Sequence, residues 1–413
     1  MIYSKKFPSG LRMVVKQMEG LLSVSMGVLV GTGSCFETQE ENGISHFIEH
    51  MMFKGTEKRT AFEISDAMDR IGAQVNAFTS KDITCYYAKS TSDHTEEAFE
   101  ILSDFVLGSV FPEEEMEREK GVVLEEIAMT EDTPDDLCFD ILAEAYFGDE
   151  GYGRTILGPA KNVKGFARED LFRYIDERYA PENIVISFAG SIDVAEAEKL
   201  TEKYFESALA PRSLTPRKKP IDLCRRSLHK YKDIEQVHIA LAYPSVAREH
   251  PLMDAVQVMN TILGGGMSSR LFQKVREQMG LAYTVYSYPS FFTEGGLLTV
   301  YAGVNSSNVE KAKEAILQTV EDFRREKFTA EEFERGKEQI KSSLIFAQEN
   351  TASQMLLYGK HMLYNDAVPD LEKRVKDLET MTMAQCEQAL SLNFRADDMA
   401  AAVVGKVKKP LSF

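Results

Sequence analysis

Two histidines one helical turn apart, with a glutamate beside the second, stand in the run Asn42-Gly-Ile-Ser-His-Phe-Ile-Glu-His-Met-Met-Phe-Lys-Gly55. On a helix at about 100° per residue with Ile44 at the origin, Ile48 falls near about 40°, Met51 near about 340° and Phe47 near about 300°. Glu49, His46 and His50 fall near about 140°, 200° and 240°, on the other side. Two imidazoles so placed can reach one metal ion, and Glu49 shares their face, placed to hold a water rather than the metal. The chain has only 7 histidines. An H-x-x-E-H pattern should arise by chance on the order of 0.01 times in this length, so unrelated surface residues are the weaker reading.

Two imidazoles leave a catalytic zinc one ligand short, since such sites take three protein ligands and leave one position to water. The helix expected after Pro112 offers Glu119, Glu125 and Glu126. With Met116 at the origin, Val123, Ile127 and Leu124 form an apolar stripe between about 340° and 80°. Glu126 and Glu119 border it at about 280° and 300°, whereas Glu125 points away at about 180°. Glu126 is therefore the better ligand, with Glu119 two turns earlier as a hydrogen-bond partner for an imidazole. In so acidic a helix a solvated face is still the ordinary fate of any single glutamate.

A duplication shifts that balance. At an offset of 217 residues, Phe111-Pro-Glu-Glu-Glu-Met-Glu-Arg-Glu-Lys120 lies over Phe328-Thr-Ala-Glu-Glu-Phe-Glu-Arg-Gly-Lys337, with six of ten positions identical. Each half opens on an alternating strand pattern (from Ser23 and from Val237). Each continues through strand-like runs (Gln74 to Thr79 and Ile83 to Ala88; Ala282 to Tyr288 and Leu297 to Ala302) and two long helices. Each closes on an apolar strand ending in glycine, at Gly190 and Gly405. Glu126 lies over Ser343 and Glu119 over Gly336, and the second half offers Ile262-Leu-Gly-Gly-Gly-Met267 where the first has its histidines. A copied scaffold with one ligand set implies one metal site in a doubled fold. The expected architecture is α+β, two homologous repeats of sheet and helices. Its parts are a metal-binding half at 1–209, a linker at 210–222 with three prolines and four basic residues between Ala210 and Pro220, and a ligand-free half at 223–413.

Composition narrows the partners. Lys plus Arg is 48 and Asp plus Glu is 65, a net charge of −17 that repels phosphate backbones and argues against nucleic acid. No stretch approaches the ~20 apolar residues of a membrane span, and no signal-peptide pattern follows Met1. Five scattered cysteines with no C-x-x-C pair fit reduced, buried thiols in a cytoplasm.

The residues resemble a known family at this point. Gly43-Ile-Ser-His-Phe-Ile-Glu-His-Met-Met-Phe-Lys-Gly-Thr56, Val75-Asn-Ala-Phe-Thr79 and Glu119-Lys-Gly-Val-Val-Leu-Glu-Glu126, with Leu263 to Phe272 and Val275 to Tyr283, are similar to the pitrilysin-type (inverzincin) zinc endopeptidases. The branch is that of the mitochondrial processing peptidase β-subunit and its bacterial relatives, and the resemblance covers essentially the whole chain. It implies one Zn2+ per chain on His46, His50 and Glu126, with Glu49 as general base and Glu119 behind a histidine. It implies an edge strand at Asn76, Ala77 and Phe78 that pairs with an extended peptide substrate. It further implies Arg276 and Tyr283 at the reaction site and a homodimer closing like a clamshell, each subunit's Arg276 and Tyr283 facing the other's zinc. An acidic chamber would favour basic peptides. A non-catalytic peptide-binding or assembly subunit, as some relatives are, and a zinc hydrolase of non-peptide substrates are the competing readings.

Overall fold

The computed structural model describes residues 1–209, 212–217, 223–407 and 409–413. Of the expected linker, residues 210–211 and 218–222 lie outside the described residues. The strands are β1 (Ile2–Lys6), β2 (Arg12–Gln17), β3 (Ser23–Val30), β4 (Gln74–Thr79), β5 (Thr84–Thr91), β6 (Ile184–Gly190), β7 (Ser227–Tyr231), β8 (Gln236–Ser245), β9 (Ala282–Phe291), β10 (Gly296–Asn305) and β11 (Ala400–Gly405). The helices needed below are α1 (Ile44–Met51), α2 (Glu113–Asp132), α3 (Pro134–Phe147), α4 (Met253–Gly264), α5 (Ala330–Ala347) and α6 (Thr351–Asn365).

The strands form two sheets, in the orders β1-β2-β6-β3-β5-β4 and β7-β11-β8-β10-β9. Without β1 the two orders correspond strand for strand. The first pair is parallel in each (β2 with β6, β7 with β11) and the rest are antiparallel. The fold is α+β and its topology is repeated, as the 217-residue offset predicts.

Alternation along β3 explains how its sheet is buried on both faces. Val24, Met26, Val28 and Val30 enter a core shared with Phe47, Ile48 and Met51 of α1. Ser25 and Gly27 face the other way, small enough to admit α6, where the Ser25 hydroxyl lies 2.8 Å from that of Thr351. Ser187 of β6 donates to the Met355 carbonyl at 2.7 Å, and Arg12 of β2 donates to that of Met362 at 2.8 Å.

Yet α6 comes from the second half of the sequence. The chain divides into two compact units that are not its two halves: Phe346–Pro369 belongs with the first sheet, and Ala128–Arg154 with the second. In the second unit α3 covers the face of β8 and β11 turned away from Val237, Ile239 and Leu241. The Cys138 thiol reaches the His238 carbonyl at 3.7 Å there, and Phe139 packs on Tyr301 with ring centroids 5.1 Å apart. A division at 1–209 and 223–413 therefore does not describe the compact units: equivalent helices are exchanged. Amphipathicity says that a helix buries one face, not which sheet receives it.

Among the cysteines Cys35, Cys85, Cys138 and Cys386 are buried thiols, but Cys224 is exposed, against the expectation for all five. No helix among the described residues is long and apolar enough to cross a membrane.

Candidate metal centre

The helix wheel drawn for α1 matches its burial: Ile44, Phe47, Ile48 and Met51 are each at most 1% exposed. Its start is built unusually. Gly43 occupies the N-cap with φ of +101°, where a side chain is strained, and a Cβ would meet the Leu157 carbonyl oxygen at 2.5 Å. Glycine has no side chain to cap with, so the buried carboxylate of Glu37 does this work. It accepts hydrogen bonds from the Gly43 N–H at 2.8 Å, the Ser45 N–H at 2.9 Å and the Asn42 side chain at 2.9 Å. An anion at this end also complements the helix dipole. Burial pushes the Glu37 carboxyl upward, and these three donors oppose it.

Opposite the core face, α1 and α2 bring three ligand-type groups together. His46, His50 and Glu126 each offer an atom within 4.8 Å of the others'. Nε2 of His46 is 3.7 Å and Nε2 of His50 is 3.5 Å from Oε2 of Glu126. Tetrahedral zinc with bonds of about 2.0–2.1 Å requires ligand atoms about 3.4 Å apart. The residues present therefore fit such an ion in type, number and spacing. Glu126 is half-buried while Glu125 is exposed, the distinction its place on the α2 wheel implies.

Burial, and then the neighbouring His50, pull the His46 imidazole down to about 3, so it is neutral at physiological pH, the form that ligates metal. Its Nδ1 is buried with no hydrogen-bond partner among the described residues. The Nδ1 of His50 lies 2.7 Å from Oε1 of Glu119, whose other oxygen is 2.6 Å from the Lys54 amino group. A carboxylate at Nδ1 holds the proton there and leaves Nε2 to face Glu126. Burial acts to lower His50, but the Glu119 hydrogen bond and the Glu126 charge outweigh it and its pKa rises. Burial acts to raise Glu119, yet His50 and Lys54 hold it below the usual range.

Glu49 lies on the same face and accepts a hydrogen bond from the Thr79 hydroxyl. Burial raises its carboxyl against that bond. Thr79 ends β4, the outermost strand of the first sheet, which among the described residues is bonded on one side only, to β5. Asn76 of this strand is exposed, and Ala77 and Phe78 are half-buried. Thr79, Lys54 and Glu37 were not singled out from sequence. Alternation could have found Thr79, which shares the face of Val75 and Ala77.

Arg276 and Tyr283 belong to the second unit. The Arg276 guanidinium lies 4.6 Å from the Phe272 ring centroid and 5.7 Å from that of Tyr283, which is 75% exposed. In that unit the residues over His50 and Glu126, Met267 and Ser343, are exposed and offer no imidazole or carboxylate, and the position of Glu119 is close-packed. A Cβ on Gly336 of α5 would stand 3.2 Å from Val258 of α4 and 3.4 Å from Ile262. No carboxylate fits where Glu119 stands in the first repeat.

Residues 12–160 match the family description Insulinase (Peptidase family M16), and residues 165–340 match Peptidase M16 inactive domain. The uncharacterized zinc protease YmxG of Bacillus subtilis is 40% identical over 396 residues, covering 96% of each chain. The chain belongs to peptidase family M16. A second relative, an uncharacterized zinc protease of Streptomyces coelicolor, is 37% identical, covering 86% of this chain and 79% of its own. Two solved structures share the fold. A protease from Helicobacter pylori superposes with a TM-score of 0.90 at 22% identity, over 98% of this chain and 99% of its own. A protein from Pseudomonas fluorescens described as a peptidase M16 inactive domain does so with 0.92 at 21% identity, over all of both chains.

Proposed function

We propose that this M16 chain is a zinc-dependent endopeptidase that hydrolyses peptide bonds in extended or unfolded peptides. The observation that carries this reading is the convergence of His46, His50 and Glu126 with Glu49 beside them on one face of α1. His46, His50 and Glu126 would hold a zinc ion, which would supply Lewis acidity to lower the pKa of water toward neutrality and to polarise a carbonyl. Glu49 takes the proton of the attacking water and passes it to the leaving amine. The Thr79 hydroxyl holds one carboxylate oxygen of Glu49, so the other is aimed at the water. Glu119 keeps the His50 ring turned toward the metal. The free edge of β4 at Asn76, Ala77 and Phe78 pairs with the substrate backbone, which presents the scissile bond beside Thr79.

Purified, unchelated protein should carry one zinc per chain by elemental analysis and cleave a quenched extended peptide. Chelation should abolish cleavage and zinc should restore it. Protein without stoichiometric transition metal would defeat this reading. The family match described as an inactive domain, over residues 165–340, favours a second reading, a non-catalytic peptide-binding subunit. Against it, the full ligand set stands in the first repeat. Zinc-loaded protein that binds the peptide without cutting it would decide for the second reading.

The resemblance extends this proposal to Arg276 and Tyr283, to a cytoplasmic homodimer and to basic peptides. Tyr283 donates a hydrogen bond to the tetrahedral oxyanion, a contact worth roughly 3 kcal/mol in the barrier, and it acts on the partner's site. Mixing an inactive Glu49→Gln chain with a Tyr283→Phe chain should restore part of the activity. No restoration despite demonstrated subunit exchange would rule out action across the dimer.

A further inference from the structure

Thr79 and Phe78 are neighbours on β4, so their side chains leave opposite faces of the sheet. Thr79 points to Glu49; Phe78 points to the face that α6 covers. There the Lys360 amino group of α6 lies 5.5 Å from the Phe78 ring centroid. Phe78 pairs in register with Cys85 of β5, a buried thiol that burial holds well above its ordinary pKa and that the Lys360 charge draws back down. Lys360 is half-buried and has no carboxylate within 4 Å among the described residues, in a chain where acidic groups outnumber basic ones by 17. Its ammonium, beside the Phe78 ring and with no carboxylate partner among the described residues, is a cation left available to an incoming anion.

We infer that Lys360 and Phe78 form a specificity subsite that receives a carboxylate side chain, Asp or Glu, of a peptide bound along β4. This rests on β4 being the strand that holds the substrate. A strand added at that edge sends alternate side chains to the two faces. One residue turned toward Glu49 is followed, about 3.3 Å on, by one turned toward Lys360. The carboxylate therefore belongs within two residues of the scissile bond. The aliphatic part of a glutamate side chain lies on the Phe78 ring while its oxygens reach the Lys360 Nζ. The negative charge of the whole chain favours basic peptides in general; this subsite demands an acid at one position, a preference net charge does not foresee.

The test uses the zinc-loaded full chain and a randomised library of extended peptides capped at both ends, with cut positions read by mass spectrometry. The wild type should select Asp or Glu over Asn or Gln by about tenfold at one position within two residues of the cut. Lys360→Glu should select Lys or Arg at that same position, and Lys360→Met, which keeps the aliphatic stem, should flatten the preference. Melting curves would identify a variant that fails to fold. An unchanged profile in a folded Lys360→Glu chain overturns the subsite while leaving the peptidase reading intact. If the wild type cuts nothing, the peptidase reading fails. The subsite is then decided by fluorescence anisotropy with labelled peptides differing only by Glu or Gln. Tighter binding of the Glu peptide, reversed in Lys360→Glu, upholds it, and equal binding overturns it. Peptides with a free instead of an amidated C-terminus form a further arm. A Lys360-dependent gain confined to them would assign the site to a terminal carboxylate and overturn the side-chain proposal.

Discussion

Glu49→Gln should retain stoichiometric zinc and lose turnover by about 10³- to 10⁴-fold, the upper part of the range for a group that moves a proton in the transition state. The substitution preserves shape and a carbonyl oxygen that can still accept the Thr79 hydroxyl. It also leaves His46, His50 and Glu126 untouched. What it removes is basicity, and Glu49 needs that twice, once to accept the water's proton and once to return it to the amine. A 10⁴-fold loss corresponds to about 5.4 kcal/mol in the barrier. Elemental analysis together with hydrolysis of a quenched peptide measures both halves of the expectation on one sample. Full activity in the zinc-loaded variant would remove Glu49 from the mechanism and turn attention to another group able to take a proton.

The reason this site could be read from residues is that most of it is local. His46, Glu49 and His50 lie within five residues, and helical geometry alone puts them on one face, opposite Phe47, Ile48 and Met51. Glu126 is 76 residues beyond His50, and no local rule joins them; the helical wheel set Glu126 and Glu119 beside the apolar stripe, and the unequal repeats, with Ser343 and Gly336 in the second copy, tipped the balance toward them. Glu37 escaped because its role is to cap a helix from six residues before Gly43, outside the usual capping positions. Lys54 escaped because an ion pair with a buried glutamate on another helix leaves no periodic mark.

The same distinction between local and remote information governs the fold. Strand β4 was placed at Gln74 to Thr79 from alternation, and the structure has it there. Its position at the sheet edge follows from pairing order, which alternation does not encode. The exchange of α3 and α6 was illegible for a like reason. Both are half-apolar helices that would serve either sheet, and the choice depends on small residues such as Ser25 and Gly27 on the receiving strand. The consequence for function is that Lys360, far along the sequence, belongs to the same compact unit as Glu49.

Two substitutions on α2 should separate holding the metal from aiming a ligand. Glu126→Ala leaves two imidazoles, and the dialysed protein should come away with zinc well below one per chain and no measurable turnover. Glu119→Ala keeps all three ligands but strips His50 of its 2.7 Å partner and leaves Lys54 without its anion. Loss of such a carboxylate behind a histidine typically weakens metal binding by 10- to 100-fold, so zinc should still bind, with an affinity reduced by about that factor in competition with a chelator. Glu119→Gln refines the contrast: its amide oxygen can still accept from His50 Nδ1, but it carries no charge for Lys54, so it should fall between the wild type and the alanine variant. Undiminished zinc in Glu126→Ala would mean that another group is the third ligand. Undiminished affinity in Glu119→Ala would mean that packing of α1 against the core, together with the Glu37 cap, is enough to hold the His50 ring in place.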